Sequence, residues 1–179
     1  MMFCKIRFNL FFYLLFFAFC FQITHSQDNI IEDKNFRFKF MLSANWDKKD
    51  SKETKDKDGI SYTFERKDKK MAIMLLAFKL SSVKNLDDFI YNMEKDISLN
   101  IPSKSGDYTE QDFGKYDMKS ATYKDAKFQE VIYYFRTKLP DATNNYVYML
   151  RFITEIKDYS PDIESIIKII AGTFTPTAE

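Results

Sequence analysis

Two neighbouring apolar stretches, Lys127 to Lys138 and Asn145 to Ile156, hold the residues of this chain best placed to do chemistry. Both alternate as strands do, and if residue 134 pairs with residue 149, Val131, Tyr133 and Phe135 meet Tyr148, Leu150 and Phe152 on one face. The opposite face then carries Ile132, Tyr134, Met149 and Ile153 together with Glu130 and Arg151, which become diagonal neighbours within reach of one another. A carboxylate and a guanidinium on an aromatic, Met-bearing face support two readings: a structural ion pair, the commoner case, or the floor of a site that receives a ligand or a partner segment. Trp46, the only tryptophan, follows closely on an earlier strand; it serves as a lid over a sheet core or, in the sharper reading, as a binding anchor. Trp46, Glu130, Tyr134, Met149 and Arg151 are thus the candidate ligand- or partner-binding residues, and no residue is assigned to catalysis.

The missing residue types narrow the chemistry further. Both cysteines, Cys4 and Cys20, and the only histidine, His25, lie in the first 26 residues. If these are removed, the chain can run neither a Ser/His/Asp nor a Cys/His mechanism and can build no His or Cys zinc site. Paired carboxylates or a Ser/Lys or Tyr/Lys pair remain, but most carboxylates sit among lysines, as solvated ones do. Four glycines in the whole chain leave no phosphate-cradling loop. Asp56, Asp58, Gly59 and Glu65 fall at positions three, five, six and twelve of a calcium loop. Position one is Thr54, however, position eight is Ser61, and a strand pattern follows, so a charged loop ending in a glycine turn is preferred. No metal and no cofactor is expected.

Residues 1–26 carry Lys5 and Arg7, an apolar run from Leu10 to Phe21, and small or polar residues Thr24 and Ser26 before Gln27, the order of a secretory signal. A run of 12 residues is short of the about 20 that a spanning helix needs, so cleavage after Ser26 is preferred to a permanent anchor. Lipid attachment at Cys20 is disfavoured by Phe19 before it. Loss of Lys5 and Arg7 from 27 basic residues, against 26 acidic ones, takes the net charge from +1 to about −1. Nucleic acid is therefore not an expected partner, since the lysines between Lys48 and Lys57 are offset by Asp50, Glu53 and Asp56. Without disulfides a hydrophobic core must hold the fold, and one domain of this size buries roughly two thirds of its unfolded surface.

These residues need a frame. Residues 27–34 are polar and read as a mobile mature terminus. Phe36, Phe38, Phe40 and Leu42 alternate as a strand, and a loop with Trp46 and the charged stretch through Asp58 follows. Ile60 to Glu65 is a second strand, and Met71 to Leu80 a strand covered on both faces. Leu86, Phe89, Ile90, Met93 and Ile97 make one helical stripe, with Asn85 as N-cap, Asp87 and Asp88 in the first turn, and Pro102 beyond the end. Four strands follow, Tyr108 to Phe113, Tyr116 to Tyr123, Lys127 to Lys138 and Asn145 to Ile156, with turns at Gly114, Asp125 and Pro140 to Asn144. Ser160 caps a last helix with Pro161 in its first turn, a stripe of Ile163, Ile166, Ile167 and Ile170, and Gly172 at its end. Together they make an α+β domain on a mainly antiparallel sheet. It occupies residues 35–175, with a tail at 176–179.

The chain resembles the PsbP-like family in its aromatic first strand followed closely by Trp46, the hairpin before the helix around Leu86 to Ile97, the meander of strands, and a terminal helix running into Ala171, Gly172, Thr173 and Phe174. Ala44 and Asn45 stand where that family usually has proline and glycine. The resemblance implies a sheet with helices packed on its faces and a non-catalytic binding or accessory role. The expected function is that of an exported accessory protein of the cell envelope, periplasmic or extracellular, that binds a protein partner or an apolar ligand and has no stable membrane span after cleavage. The alternatives are a carrier of a lipid or other apolar ligand, and a small carboxylate-based hydrolase.

Overall fold

The computed structural model describes residues 28–81, 83, 85–138 and 145–177; the leader, Cys20 and the turn at Pro140 to Asn144 lie outside these. Strands β1 (Asn29–Asp33), β2 (Phe38–Leu42), β3 (Trp46–Glu53), β4 (Gly59–Arg66) and β5 (Met71–Leu80) precede helix α1 (Leu86–Lys95). Strands β6 (Ser103–Asp112), β7 (Tyr116–Lys124), β8 (Phe128–Thr137) and β9 (Asn145–Glu155), helix α2 (Pro161–Thr173) and the short β10 (Thr175–Pro176) complete the chain. Every strand pair is antiparallel. Seven strands form one sheet in the order β3-β4-β5-β9-β8-β7-β6, and β1-β2-β10 form a second. The architecture is α+β, with a mainly antiparallel sheet and helices packed against it.

The central strands β5, β8 and β9 are apolar on both sides because both sides are covered. Met71, Ile73, Leu75 and Ala77 of β5 join Tyr146, Tyr148, Leu150 and Phe152 of β9 in a core closed by β2 and by Ile163, Ile167 and Ile170 of α2. Phe174, just beyond α2, sits among Phe135 (ring centroids 4.5 Å apart), Tyr148 (5.3 Å) and Phe38 (5.8 Å). Burying one such ring is worth about 1.5–3 kcal/mol. On the other face, Ala121, Tyr123, Ile132, Tyr134, Val147 and Met149 lie beneath Leu86, Phe89 and Ile90 of α1.

The structure departs from the sequence expectation where backbone pairing, with little side-chain burial, makes the element. Residues 29–33, expected to be mobile, form β1, paired from Asn29↔Leu42 to Asp33↔Phe38. The charged stretch after Trp46, expected as a loop, is the edge strand β3, exposed at every residue but Trp46 and paired to β4 through a bulge between Lys48 and Asp50. Helix α1 stops at Lys95, two residues before the stripe ends. Asp96 accepts from Ser98 N and opens a 3-10 turn over Ile97–Leu99, which Asn100 closes at φ 46°. Ile97, placed by spacing on the buried stripe, is 93% exposed. Helix α2 runs through Gly172 to Thr173.

Candidate functional site

The register that brings the candidate residues together is the one adopted: Tyr134 pairs with Met149, Ile132 with Arg151, and Glu130 with Ile153. Arg151 Nε and Nη2 donate to the two carboxylate oxygens of Glu130 at 2.7 Å each, a bidentate pair. Glu130 is 2% and Arg151 5% exposed. Arg151 Nη1 also donates to Leu99 O at 2.6 Å and Nη2 to Asn100 O at 3.4 Å. One guanidinium thus bonds a carboxylate on β8 and the carbonyls that end the 3-10 turn, pinning that turn over the sheet. A helix end whose carbonyls are buried needs donors from elsewhere, and Arg151 supplies them.

Helix α1 fixes the rest of this face. Its N-terminus is set by Asn85, whose side-chain oxygen accepts from Asp88 N at 2.8 Å, and by Asp87 and Asp88 in the first turn. Lys119 of β7 bonds Asp87 at 2.7 Å and Glu110 at 2.8 Å, tying the helix start to the sheet edge. Near the other end, Glu94 accepts from the hydroxyls of Tyr108 and Tyr123, the latter at 2.5 Å, and the Tyr123 oxygen lies 3.3 Å from that of Tyr134. Burial first, then Glu94, pushes the Tyr108 hydroxyl up to about 12 and the Tyr123 hydroxyl higher still. Burial likewise raises Tyr134. These tyrosines stay protonated and serve as donors.

Glu130, Tyr134, Met149 and Arg151 therefore share one face as expected, but the segment received on it is the chain's own α1 and the turn after it. Phe89 packs edge-on against both Phe78 and Tyr134. Trp46 lies elsewhere, buried at the start of β3 in the core beneath α2. Residues 54–59 form a tight turn in which the Thr54 hydroxyl accepts from Asp58 N and Gly59 N and donates to the Asp58 carboxylate at 2.6 Å. Glu65 is six residues up β4, about 20 Å away along a strand, and pairs with Lys49. Among the described residues, no group of three or more His, Cys, Asp or Glu side chains is placed to hold a metal ion.

Sequence reasoning missed Glu94, Tyr108 and Tyr123. The available signal was Glu94 itself, a charged residue four beyond Ile90 and eight beyond Leu86, on the stripe that faces the sheet. One opening on this side is a groove of about 510 Å³ between α1 and the end of β5, lined by Phe78, Leu80, Val83, Phe89, Tyr91 and Met93 with Asp88 and Asn92 at its polar margin. Tyr91 is 57% exposed, and Lys95 bonds its hydroxyl and lies over its ring. No described helix is long and apolar enough to cross a membrane.

No protein-family model matches the chain, and no curated protein matches it. Solved structures of similar shape include a protein of Bacteroides thetaiotaomicron VPI-5482 (TM-score 0.49, 12% identity over 86% of this chain), of which this chain spans 50% of the length. They also include LpqN of Mycobacterium tuberculosis, a protein involved in cell envelope biogenesis (0.49, 14% identity, 86% of this chain and 92% of that one). A Mog1 variant is a third (0.49, 8% identity, 84% and 96%). Likenesses at these values carry no weight for family or function. What stands is the fold that the chain itself adopts, a mainly antiparallel α+β domain with one helix on each face of its large sheet.

Proposed function

We propose that this protein is an exported, non-catalytic binding or accessory protein of the cell envelope that presents the groove beside α1 to a protein partner. The observation that carries the reading is an apolar groove left uncovered next to a helix tied to the sheet by polar bonds near both ends. Its about 510 Å³ is within the roughly 300–1,000 Å³ of ordinary binding clefts. Tyr91 and Ile97 stand exposed on the same segment. The two carboxylates between α1 and the sheet, Glu94 of the helix and Glu130 of β8, favour binding over hydrolysis, because Glu130 is engaged by Arg151 and Glu94 by two tyrosines. Export rests on the leader-like order of residues 1–26.

A photo-crosslinking residue placed at Tyr91, at Ile97 and, as a control, at the exposed Asp162 of α2 tests this in the source cells. Discrete adducts from the first two positions, missing from the control, are expected; the same pattern from all three would contradict the reading. Native mass spectrometry separates the alternative of an apolar-ligand carrier, which requires a small-molecule mass increment on the purified protein.

A further inference from the structure

A second cleft, on the α2 side of the sheet and at its far edge, has the opposite character. Two cross-strand rows run into it. In one, Phe152, Val131, Thr122 and Ser105 are successive neighbours across β9, β8, β7 and β6; in the other, Leu150, Tyr133, Ser120 and Thr109 are. Each row begins in the apolar core beneath α2 and ends in two hydroxyl residues past its cover. Between Ser105 and Thr109, Gly106, Asp107 and Tyr108 stand opposite the single residue Ala121, and Gly106 has φ 85°. Such a bulge bends an edge strand and re-aims its side chains. It brings Asp107 to the cleft, while Tyr108 turns to the other face to bond Glu94. Tyr159, Glu164 and Lys168 close the cleft from the α2 side, around a space of about 200 Å³.

The chemistry of this lining is specific in kind. The hydroxyls of Ser105, Thr109, Ser120, Thr122 and Tyr133 make no side-chain hydrogen bond among the described residues, and none of the five is sealed from solvent. Each can both donate and accept, the serine and threonine hydroxyls accepting up to twice. Glu164 and Lys168 neutralise one another at 2.6 Å, leaving Asp107 as the one carboxylate without a described partner. Isolated serines and threonines on a strand edge are ordinary; five hydroxyls, a carboxylate and two half-buried tyrosine rings converging on one recess are a recognition surface. An anion would meet Asp107, and an apolar ligand would strand the hydroxyls. A neutral ligand with adjacent hydroxyl groups and a flat C–H face satisfies both the polar groups and the rings. The space, about seven times a water's share of liquid volume, suits a single such ring.

The geometry points to a saccharide-binding site here, taking one neutral sugar unit of a glycan, separate from the groove beside α1. The test is a two-dimensional NMR titration of the ¹⁵N-labelled protein with maltotriose, cellotriose and tri-N-acetylchitotriose. At least one should shift the amides of Ser105 to Thr109, Ser120 to Thr122 and Tyr133, leaving those lining the α1 groove in place. The Thr122→Val, Tyr133→Phe double variant, which removes two hydroxyls at nearly constant shape, should keep the wild-type spectrum elsewhere and bind about tenfold more weakly. Silence of these amides to all three sugars at concentrations on the order of 10 mM, shifts confined to the α1 groove, or unchanged affinity in the double variant would overturn the assignment.

Discussion

The two faces of the seven-stranded sheet are closed by different means. On one, α2 and the small sheet bury a continuous aromatic core in which Phe38, Phe40, Phe135, Tyr148 and Phe174 touch in a chain of rings. On the other, a ten-residue helix buries Leu86, Phe89 and Ile90 and depends on charge-assisted bonds at both ends: Lys119 to Asp87, two tyrosines to Glu94, and Arg151 to the turn that follows. Apolar burial is non-directional and tolerates small shifts, whereas a buried polar network holds one arrangement and fails as a unit when a member is removed. The face closed by polar clamps has an apolar groove beside it, and the other face a polar cleft at its far edge.

Truncation of Phe174 to alanine attacks the aromatic face at its centre, with an expected loss of about 4–5 kcal/mol in denaturant unfolding. The loss should appear in the global unfolding free energy, read at the protected amides of β8 and β9. Arg151→Ala leaves Glu130 buried without its partner and the Leu99 and Asn100 carbonyls without their donor, for an expected loss of about 3–4 kcal/mol. Its signature should be faster hydrogen exchange at residues 97–101 and along α1. A milder probe is Tyr123→Phe, which removes one of two donors to Glu94 and should cost about 1.5–2 kcal/mol, read by thermal unfolding. Thr154→Val has the opposite sign. The Thr154 hydroxyl is buried beneath the aromatic face and has no hydrogen-bond partner among the described residues, so its replacement by a methyl should stabilise by up to about 1 kcal/mol.

Alkaline titration sharpens the same contrast. A tyrosine raised to about 12 in the folded chain and ionising near 10 when unfolded is more protonated in the native state across that window. Its stabilising contribution is complete below pH 10 and is lost as pH climbs toward 12. Stability should fall across this range because the phenols of the unfolded chain ionise while the fold holds Tyr108 and Tyr123 protonated beside Glu94. The Tyr108→Phe variant should show a shallower fall, checked by denaturant midpoints at pH 9 to 12 alongside absorbance of the phenolate.

Much of this was legible in the sequence where side chains alternate between a core and something else. The spans of β4, β5, β7, β8 and β9 follow from the period of apolar residues and the Asn85 and Ser160 caps from residue type before each stripe, while the pairing of residue 134 with residue 149 entered as a condition that the fold meets. Strands β1, β3 and β6 did not show fully, since an edge strand exposed on most of its length has no face to mark it, and charges such as those of Lys48 to Glu53 serve there to keep an edge unpaired. The Glu130 and Arg151 neighbourhood could be read from register, but not its second half. The acceptors of Arg151 in the turn are backbone carbonyls, which no residue type announces. Ile97 misled because apolar spacing continues past Lys95, while Asp96, by accepting from Ser98 N, ends the α-helix one residue before it.

Polar clamps should hold α1 and its turn more weakly than the apolar core holds the sheet. Native-state hydrogen exchange across a range of denaturant measures this directly. Amides of α1 and of residues 97–101 should open below the global unfolding free energy, in a step that leaves β8 and β9 protected and that Arg151→Ala brings lower still. If those amides exchange only with global unfolding, at the same free energy as β8 and β9, the two faces are one cooperative unit and the distinction drawn between them fails.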